Sequence, residues 1–212
     1  MNIGQILVIA LSALLGVWYF GGAWVNRKRG VATYYWLREG LQAVVGAIGE
    51  ARWLGSASAG GRLAVPEAKA PFRTVEAIFT LEAREMLPWW LIQRLRGRRD
   101  SLIIRASLRH RPPLLLVTAQ ADQTAPEGYQ AHDAPAGLRL FAADGVSAAQ
   151  IRALQSFLET YATGLKTLSC EAKRPHLVLQ IDLAALQAND QPAAAFFSAL
   201  RDTCQALLGA EG

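Results

Sequence analysis

The sequence predicts an α+β protein, in which one N-terminal transmembrane helix is followed by a two-layer domain with a mostly antiparallel sheet and packed helices. Three observations lead to this prediction. The chain begins with a long apolar run, several later segments alternate polar and apolar residues, and three segments repeat apolar residues at helical spacing. We divide the chain into a transmembrane anchor with a basic stop (1–29) and a cytoplasmic α+β domain (30–212).

The anchor is predicted over Ile3–Val25, which contains no ionisable side chain. At a rise of ~1.5 Å per residue this run is long enough to cross a hydrocarbon core of ~30 Å. The basic stop that follows consists of Arg27, Lys28 and Arg29. Because basic residues favour the cytoplasmic side, we expect the N-terminus outside and the domain in the cytoplasm. A cleaved signal peptide has its positive charge before the apolar run, which is the reverse order.

Composition limits what the remaining part can be. The chain has 212 residues and a formal net charge of +5, and every charged side chain lies after Asn26. We therefore expect a single domain that is moderately basic, which suits a position next to anionic lipid or RNA. The two cysteines, Cys170 and Cys204, have no disulfide-scaffold or zinc-site pattern, which fits a reducing compartment.

The anchor is predicted to be followed by an amphipathic helix from about Val31 to Trp53. Apolar residues recur there at helical spacing, namely Leu37, Leu41, Val44 and Ile48. The next segment, GSASAGGR, is predicted to be a flexible linker. A glycine-rich segment can also bind phosphate, but no Gly-Lys-Ser/Thr element follows this one.

Alternating segments predict the strands of the sheet. They are Thr74–Ala83, the segment from Leu102 to Arg109, Leu114–Ala119, Leu138–Phe141 and Leu177–Leu183. Two helices flank the last strand. The first begins at the capping-box pair Ser147 and Gln150 and is predicted to continue through Leu165 and Leu168. The second begins near Asp190 and Pro192, and it presents Phe196, Leu200, Cys204 and Leu207 on one face.

The segment MLPWWLIQRLRGRRD combines tryptophans with arginines and is predicted to be a basic amphipathic helix. Its candidate lipid- or RNA-binding residues are Trp89, Trp90, Arg94, Arg96, Arg98 and Arg99, together with the basic stop. Such a helix can lie in the headgroup layer of a membrane. Two other interpretations stay open: the tryptophans belong to the core and the arginines are solvated, or the arginines contact ribosomal RNA.

The remaining motifs are weaker indications of a functional site. Ser12 and Gly16 place two small residues one turn apart in the anchor, where a partner helix can approach closely. The three histidines, His110, His132 and His176, lie in separate segments without ligand spacing, so we expect no metal and no cofactor. The polar loop from Gln120 to Gly137 contains Asp122, Glu127, His132 and Asp133, but such loops usually only connect strands.

Several segments resemble the calumin family, the coiled-coil-domain membrane proteins of the endoplasmic reticulum in the PAT intramembrane chaperone complex. SFLETYATGLKTL, HLVLQIDL and FFSALRDTCQALL resemble the family's last helix, strand and helix, and MLPWWLIQRLRGRRDSLIIRASL is similar to its helix-then-strand. The order of span, basic stop, amphipathic helix and α+β domain is also similar. The family's acidic region before the span and its Lys-rich coiled coil have no counterpart in this sequence. The resemblance is therefore that of a short, prokaryotic-like relative to the family.

Members of that family are not enzymes. The resemblance implies a scaffold or chaperone subunit that assists insertion and folding of multi-pass membrane proteins beside the translocon. It implies a small multi-pass membrane protein as partner of the span, with Ser12 and Gly16 facing it. Translocon or insertase subunits, the ribosome and membrane lipids are the other expected partners, and DNA is not among them.

Two other functions stay open from the sequence. One is a membrane-tethered lipid- or ligand-binding module unrelated to translation. Salt-sensitive binding to anionic vesicles, without a translocon partner, favours this function. The other is a membrane-bound hydrolase that uses the loop from Asp122 to Asp133. Activity unaffected by alanine at His132 and Asp133 excludes the hydrolase.

Overall fold

The computed structural model describes residues 2–119, 124–188 and 191–209. In these ranges the α-helices are α1 (Ile3–Gly40), α2 (Leu87–Leu95), α3 (Ala148–Tyr161), α4 (Leu183–Gln187) and α5 (Ala193–Leu208). The strands are β1 (Glu50–Trp53), β2 (Gly60–Val65), β3 (Phe72–Thr80), β4 (Ser101–Leu108), β5 (Leu115–Thr118), β6 (Tyr129–His132), β7 (Arg139–Ala143), β8 (Leu165–Cys170) and β9 (Leu177–Asp182).

The predicted anchor and the predicted second helix are one continuous helix. A capping box between Asn2 and Gln5 starts α1, which runs 38 residues before a single π-helical turn, Leu41–Val45, ends it. Gly46 follows with a φ of +144°, a conformation that a residue with a side chain rarely adopts. The prediction that the helix extends to Trp53 is therefore wrong, because Glu50–Trp53 is strand β1.

The strands form one open sheet in the order β1-β2-β3-β4-β9-β8-β5-β7-β6, and every adjacent pair is antiparallel. The α+β fold class is confirmed. Helices α3, α5 and the end of α1 share one hydrophobic core with the buried side chains of the sheet. The other face is mostly polar, with Glu76 of β3 opposite Arg105 of β4. A sheet with one buried and one solvent-exposed face explains why polar and apolar residues alternate in the sequence.

The predicted strands are confirmed with small shifts in their ends. The predicted segments correspond to β3, β4, β5, β7 and β9, while Leu183 belongs to α4. Helix α3 has the predicted Ser147–Gln150 capping box. In α5 the predicted face is buried. The predicted start of that helix near Asp190 lies outside the described residues; α5 begins after Pro192.

Three segments depart from the predictions. The predicted helix does not continue to Leu168, because α3 ends at Tyr161, Gly164 has a φ of +83°, and Leu165–Cys170 is strand β8. GSASAGGR is not a linker. It forms the tight connection between β1 and β2, in which the Leu54 N–H donates to the Gly60 carbonyl (3.0 Å). The polar loop contains strand β6, at the edge of the sheet.

Candidate functional site

Helix α1 carries the membrane-spanning candidate. Among the described residues it is the one helix long and apolar enough to cross a membrane, with a mean hydropathy of 2.0 over its most apolar window. None of that window is buried inside the protein. From Asn26 onward the helix instead packs into the domain, with Asn26, Gly30, Thr33, Leu37 and Gly40 buried. The helix therefore has a free apolar half and a docked half.

Helix α2 turns its apolar side away from the domain. Its exposed apolar residues are Trp89, Leu91, Ile92 and Leu95, and Leu95 is 80% exposed. The buried member of this helix is Gln93, a polar residue. A helix packed on a soluble domain normally buries its apolar side. The arrangement is instead typical of a helix whose apolar face meets lipid or another apolar surface.

The free half of α1 and helix α2 lie side by side. The rings of Trp18 and Trp90 are 5.8 Å apart between centroids. The Trp18 indole N–H donates to the Arg84 carbonyl at 2.8 Å. Close to this contact, a Cβ added to Gly22 would lie 2.6 Å from the same carbonyl oxygen, so only glycine allows the approach. The exposed apolar side chains of the two helices therefore belong to one continuous region, which we call the apolar surface (Ile3–Val25 and α2).

A buried polar network fixes the docked half of α1 to the segment around α2. The carboxylate of Asp100, which is buried, accepts two hydrogen bonds from Arg84 (2.8 and 3.0 Å) and one from Arg29 (3.1 Å). The Asn26 amide donates to the Glu82 carbonyl (2.6 Å), and its oxygen accepts from Arg84 (2.9 Å). Paired charge-assisted bonds of this kind hold a fixed geometry. The anchor is therefore rigidly joined to the domain.

Glu82 extends the network to α2. Its carboxylate accepts from the Trp90 indole N–H at 2.6 Å, and Arg84 and Arg94 lie within ion-pair distance at 3.7 and 3.8 Å. The remaining oxygen, Oε1, is buried without a partner among the described residues. Glu82 thereby orients Trp90 toward α1 and leaves its neighbour Trp89 half exposed. The sequence did not indicate this role for Asn26, Glu82, Arg84 or Asp100.

The candidate basic residues lie at the domain side of the apolar surface and differ in how exposed they are. Arg27, Lys28, Arg96 and Arg98 are exposed. Arg94 is half exposed and its guanidinium lies 5.4 Å from the centroid of the Trp90 ring. Three of these arginines have partners within the protein: Arg29 pairs with Asp100, Arg94 pairs with Glu82, and Arg99 donates to the carbonyls of Arg94 and Arg98. Free cations thus border the apolar surface on the domain side.

The two small residues of the span are accessible. Ser12 is exposed, and a Cβ added to Gly16 would meet nothing within 4 Å. The structure leaves room for a neighbouring helix at both positions, and their role in partner binding stays a prediction.

The other candidate chemistry is not assembled into a site. His176 is buried and its Nδ1 accepts from the Leu108 backbone N–H (3.0 Å); burial, with Arg174 nearby, lowers its pKa. In the polar loop, no hydrogen bond or ion pair joins Glu127, His132 and Asp133 to one another, and Asp122 lies outside the described residues. Over the described ranges, no group of three His, Cys, Asp or Glu side chains is placed to hold a metal ion.

Comparisons with known proteins add no relative. No protein-family model matches the chain, and no curated protein matches it. The resemblance to the calumin family therefore stays a prediction. What the fold defines is an α+β protein with one helix suited to crossing a membrane and an apolar surface helix beside it.

Proposed function

We propose that this protein is a non-enzymatic, single-pass membrane scaffold that assists insertion and folding of multi-pass membrane proteins. Its N-terminus lies outside, and its domain lies on the cytoplasmic face with α2 inserted into the adjacent leaflet. The observation that carries the proposal is the contact between Trp18 of the span and Trp90 of α2. The basic stop, at the domain end of the span, supports this orientation.

The position of that contact along the span supports the insertion of α2. A core of ~30 Å needs about 20 helical residues, and counting from Ile3 this length ends near Gly22. Trp18 then lies four residues, or ~6 Å, inside the cytoplasmic boundary. Interfacial helices lie ~5–10 Å deep with their apolar faces in the acyl region. Helix α2 has the exposed apolar face that this depth requires.

The rigid joint supports a scaffold role. Because the Asp100 network fixes the domain to the anchor, a partner bound at the membrane meets the domain in one orientation. The span keeps an exposed surface that includes Ser12 and Gly16, which suits a small multi-pass partner. The finer assignment, to biogenesis beside a translocon or insertase with the ribosome near, comes from the resemblance to the calumin family.

Affinity purification of the tagged full-length protein in mild detergent, followed by mass spectrometry, tests the proposal. We expect channel or insertase subunits and a small multi-pass protein. Replacing both Ser12 and Gly16 with leucine should reduce recovery of the multi-pass protein. The control variant, Ala10→Leu, adds one leucine on another side of the same helix and should leave recovery unchanged. Recovery of the protein alone, or with unrelated metabolic enzymes, overturns the biogenesis role and favours a tethered lipid- or ligand-binding module.

A further inference from the structure

A groove runs between α1 and α2 within the apolar surface. Its volume is about 550 Å³, which falls in the range of about 300–1,000 Å³ typical of ligand sites. Its walls are formed mainly by Trp18, Gly21, Gly22, Trp24, Val25 and Trp90. Gly21 leaves the floor open, because a Cβ added there meets nothing within 4 Å. An extended hydrocarbon chain fits a groove with these apolar and aromatic walls.

Cations lie beside both aromatic walls of the groove. The Lys28 ammonium is 5.6 Å from the centroid of the Trp24 ring, and the Arg94 guanidinium is 5.4 Å from that of Trp90. The described side chains that line the groove include no acidic residue, and the nearby Glu82 carboxylate, 3.8 Å from Arg94, offsets part of the Arg94 charge. An apolar groove with cations beside its walls is complementary to a molecule with a hydrocarbon chain and an anionic head.

We propose that this groove is a binding site for an anionic phospholipid. One acyl chain lies between α1 and α2, and the phosphate is bound by Lys28 and Arg94. A partner's transmembrane helix is the other possible occupant, but its apolar surface has no anionic group for the two cations. The inference rests on the proposed membrane position of the protein and is independent of the proposed role in biogenesis.

Lipid retention by the full-length protein tests the site. The protein is reconstituted into vesicles of equal parts phosphatidylglycerol and phosphatidylcholine, extracted into mild detergent and analysed by native mass spectrometry. We expect retained phosphatidylglycerol in about fivefold excess over phosphatidylcholine, the factor for one basic residue at an anionic surface, because Glu82 offsets the charge of Arg94. Gly21→Phe, which fills the groove, should lower retention about tenfold, the factor for losing burial of two methylene groups. Ala13→Phe, at an exposed position of the span that does not line the groove, should not lower it.

The head-group contact has its own variants. Lys28→Gln combined with Arg94→Gln should remove the preference for phosphatidylglycerol while lipid is still retained. Lys173→Gln, an exposed lysine in the loop before β9, is the control and should keep the preference. Equal retention of the two lipids by the unmodified protein, or full retention by Gly21→Phe, overturns the proposal.

A photo-crosslinking amino acid at Val17, which also lines the groove, identifies the occupant in native membranes. An adduct with the mass of a phospholipid supports the proposal, and an adduct with another protein overturns it.

Resistance of the protein to alkaline carbonate extraction is checked first. Extraction of the protein contradicts the membrane position itself, whereas failure to recover insertase subunits leaves the lipid result standing.

Discussion

Asn26 of α1 and Arg84, in the segment between β3 and α2, are joined by a 2.9 Å hydrogen bond across 58 residues of sequence. Arg84 in turn forms a two-point ion pair with Asp100, just before β4. Helix α1, the segment before α2 and the sheet therefore meet at one polar network. The network fixes the orientation of the domain relative to α1, which a flexible tether would not do.

Removal of the shared carboxylate should weaken the joint strongly. Asp100→Ala removes the two-point partner of Arg84 and leaves this largely buried guanidinium with only Glu82, at 3.7 Å, as an ion-pair partner, and losing one partner of a buried pair typically destabilises a protein by about 3–5 kcal/mol. Thermal unfolding of the purified protein in detergent measures the effect. Asp202→Ala is the control, because the Arg201–Asp202 pair is exposed and should contribute less than about 1 kcal/mol. Equal stability of the two variants contradicts the role given to the network.

Replacing Gly30 or Gly21 of α1 with alanine should change the free energy of unfolding in different directions. A Cβ at Gly30 would lie 1.8 Å from the Ala57 carbonyl oxygen, so Gly30→Ala must displace the β1–β2 connection. Overpacking of this kind destabilises by about 1–3 kcal/mol. At Gly21 a Cβ meets nothing within 4 Å, so Gly21→Ala should be neutral or stabilising through helix propensity. Unfolding measurements on both variants compare the signs, and destabilisation by Gly21→Ala alone disproves the docking geometry.

The buried thiol of Cys170 should make stability fall in alkaline solution. Burial, with a smaller effect of Glu171, raises its pKa from 9.0 to about 12. Above pH 9 the unfolded chain releases this proton while the folded protein retains it. The free energy of unfolding should therefore fall by about 1.4 kcal/mol per pH unit between pH 9 and 12, in addition to other titrations. Cys170→Ala should show a shallower decline by that amount, and identical slopes contradict the prediction.

The orientation of the anchor can be measured with single cysteines in sealed vesicles. Both native cysteines are buried, so an exposed cysteine is labelled selectively by a membrane-impermeant maleimide. Lys173→Cys should react in inside-out vesicles and Asn2→Cys in right-side-out vesicles. The reverse pattern contradicts the orientation that we infer from the basic stop.

The sequence was sufficient where local patterns and tertiary packing agree. Alternation in β3, β4 and β9 follows from one buried sheet face, and the Ser147 capping box marks the start of α3. The predictions were wrong where the conformation of a glycine determines the end of a helix. Ile48 continues the helical spacing of Leu41 and Val44, but Gly46 ends the helix; likewise Gly164 converts an apparent helical repeat at Leu165 and Leu168 into strand β8.

The candidate site was only partly predictable for a different reason. The composition of α2 was visible in the sequence, but which of its faces is exposed depends on Glu82 and Gln93 packing inward. The polar network depends on pairs such as Asn26 and Arg84, and no local pattern relates residues so far apart. Long-range pairing of this kind follows from the fold.

The depth of α2 in the bilayer tests the central claim most directly. A spin label on Leu95→Cys in reconstituted vesicles, compared with one on Lys173→Cys, reports collision with oxygen and with a water-soluble nickel complex. We predict that the label at position 95 favours oxygen, as expected ~5–10 Å below the surface, and that the label at 173 favours the nickel complex. Equal, water-like accessibility at both positions contradicts the insertion of α2 and the scaffold geometry built on it.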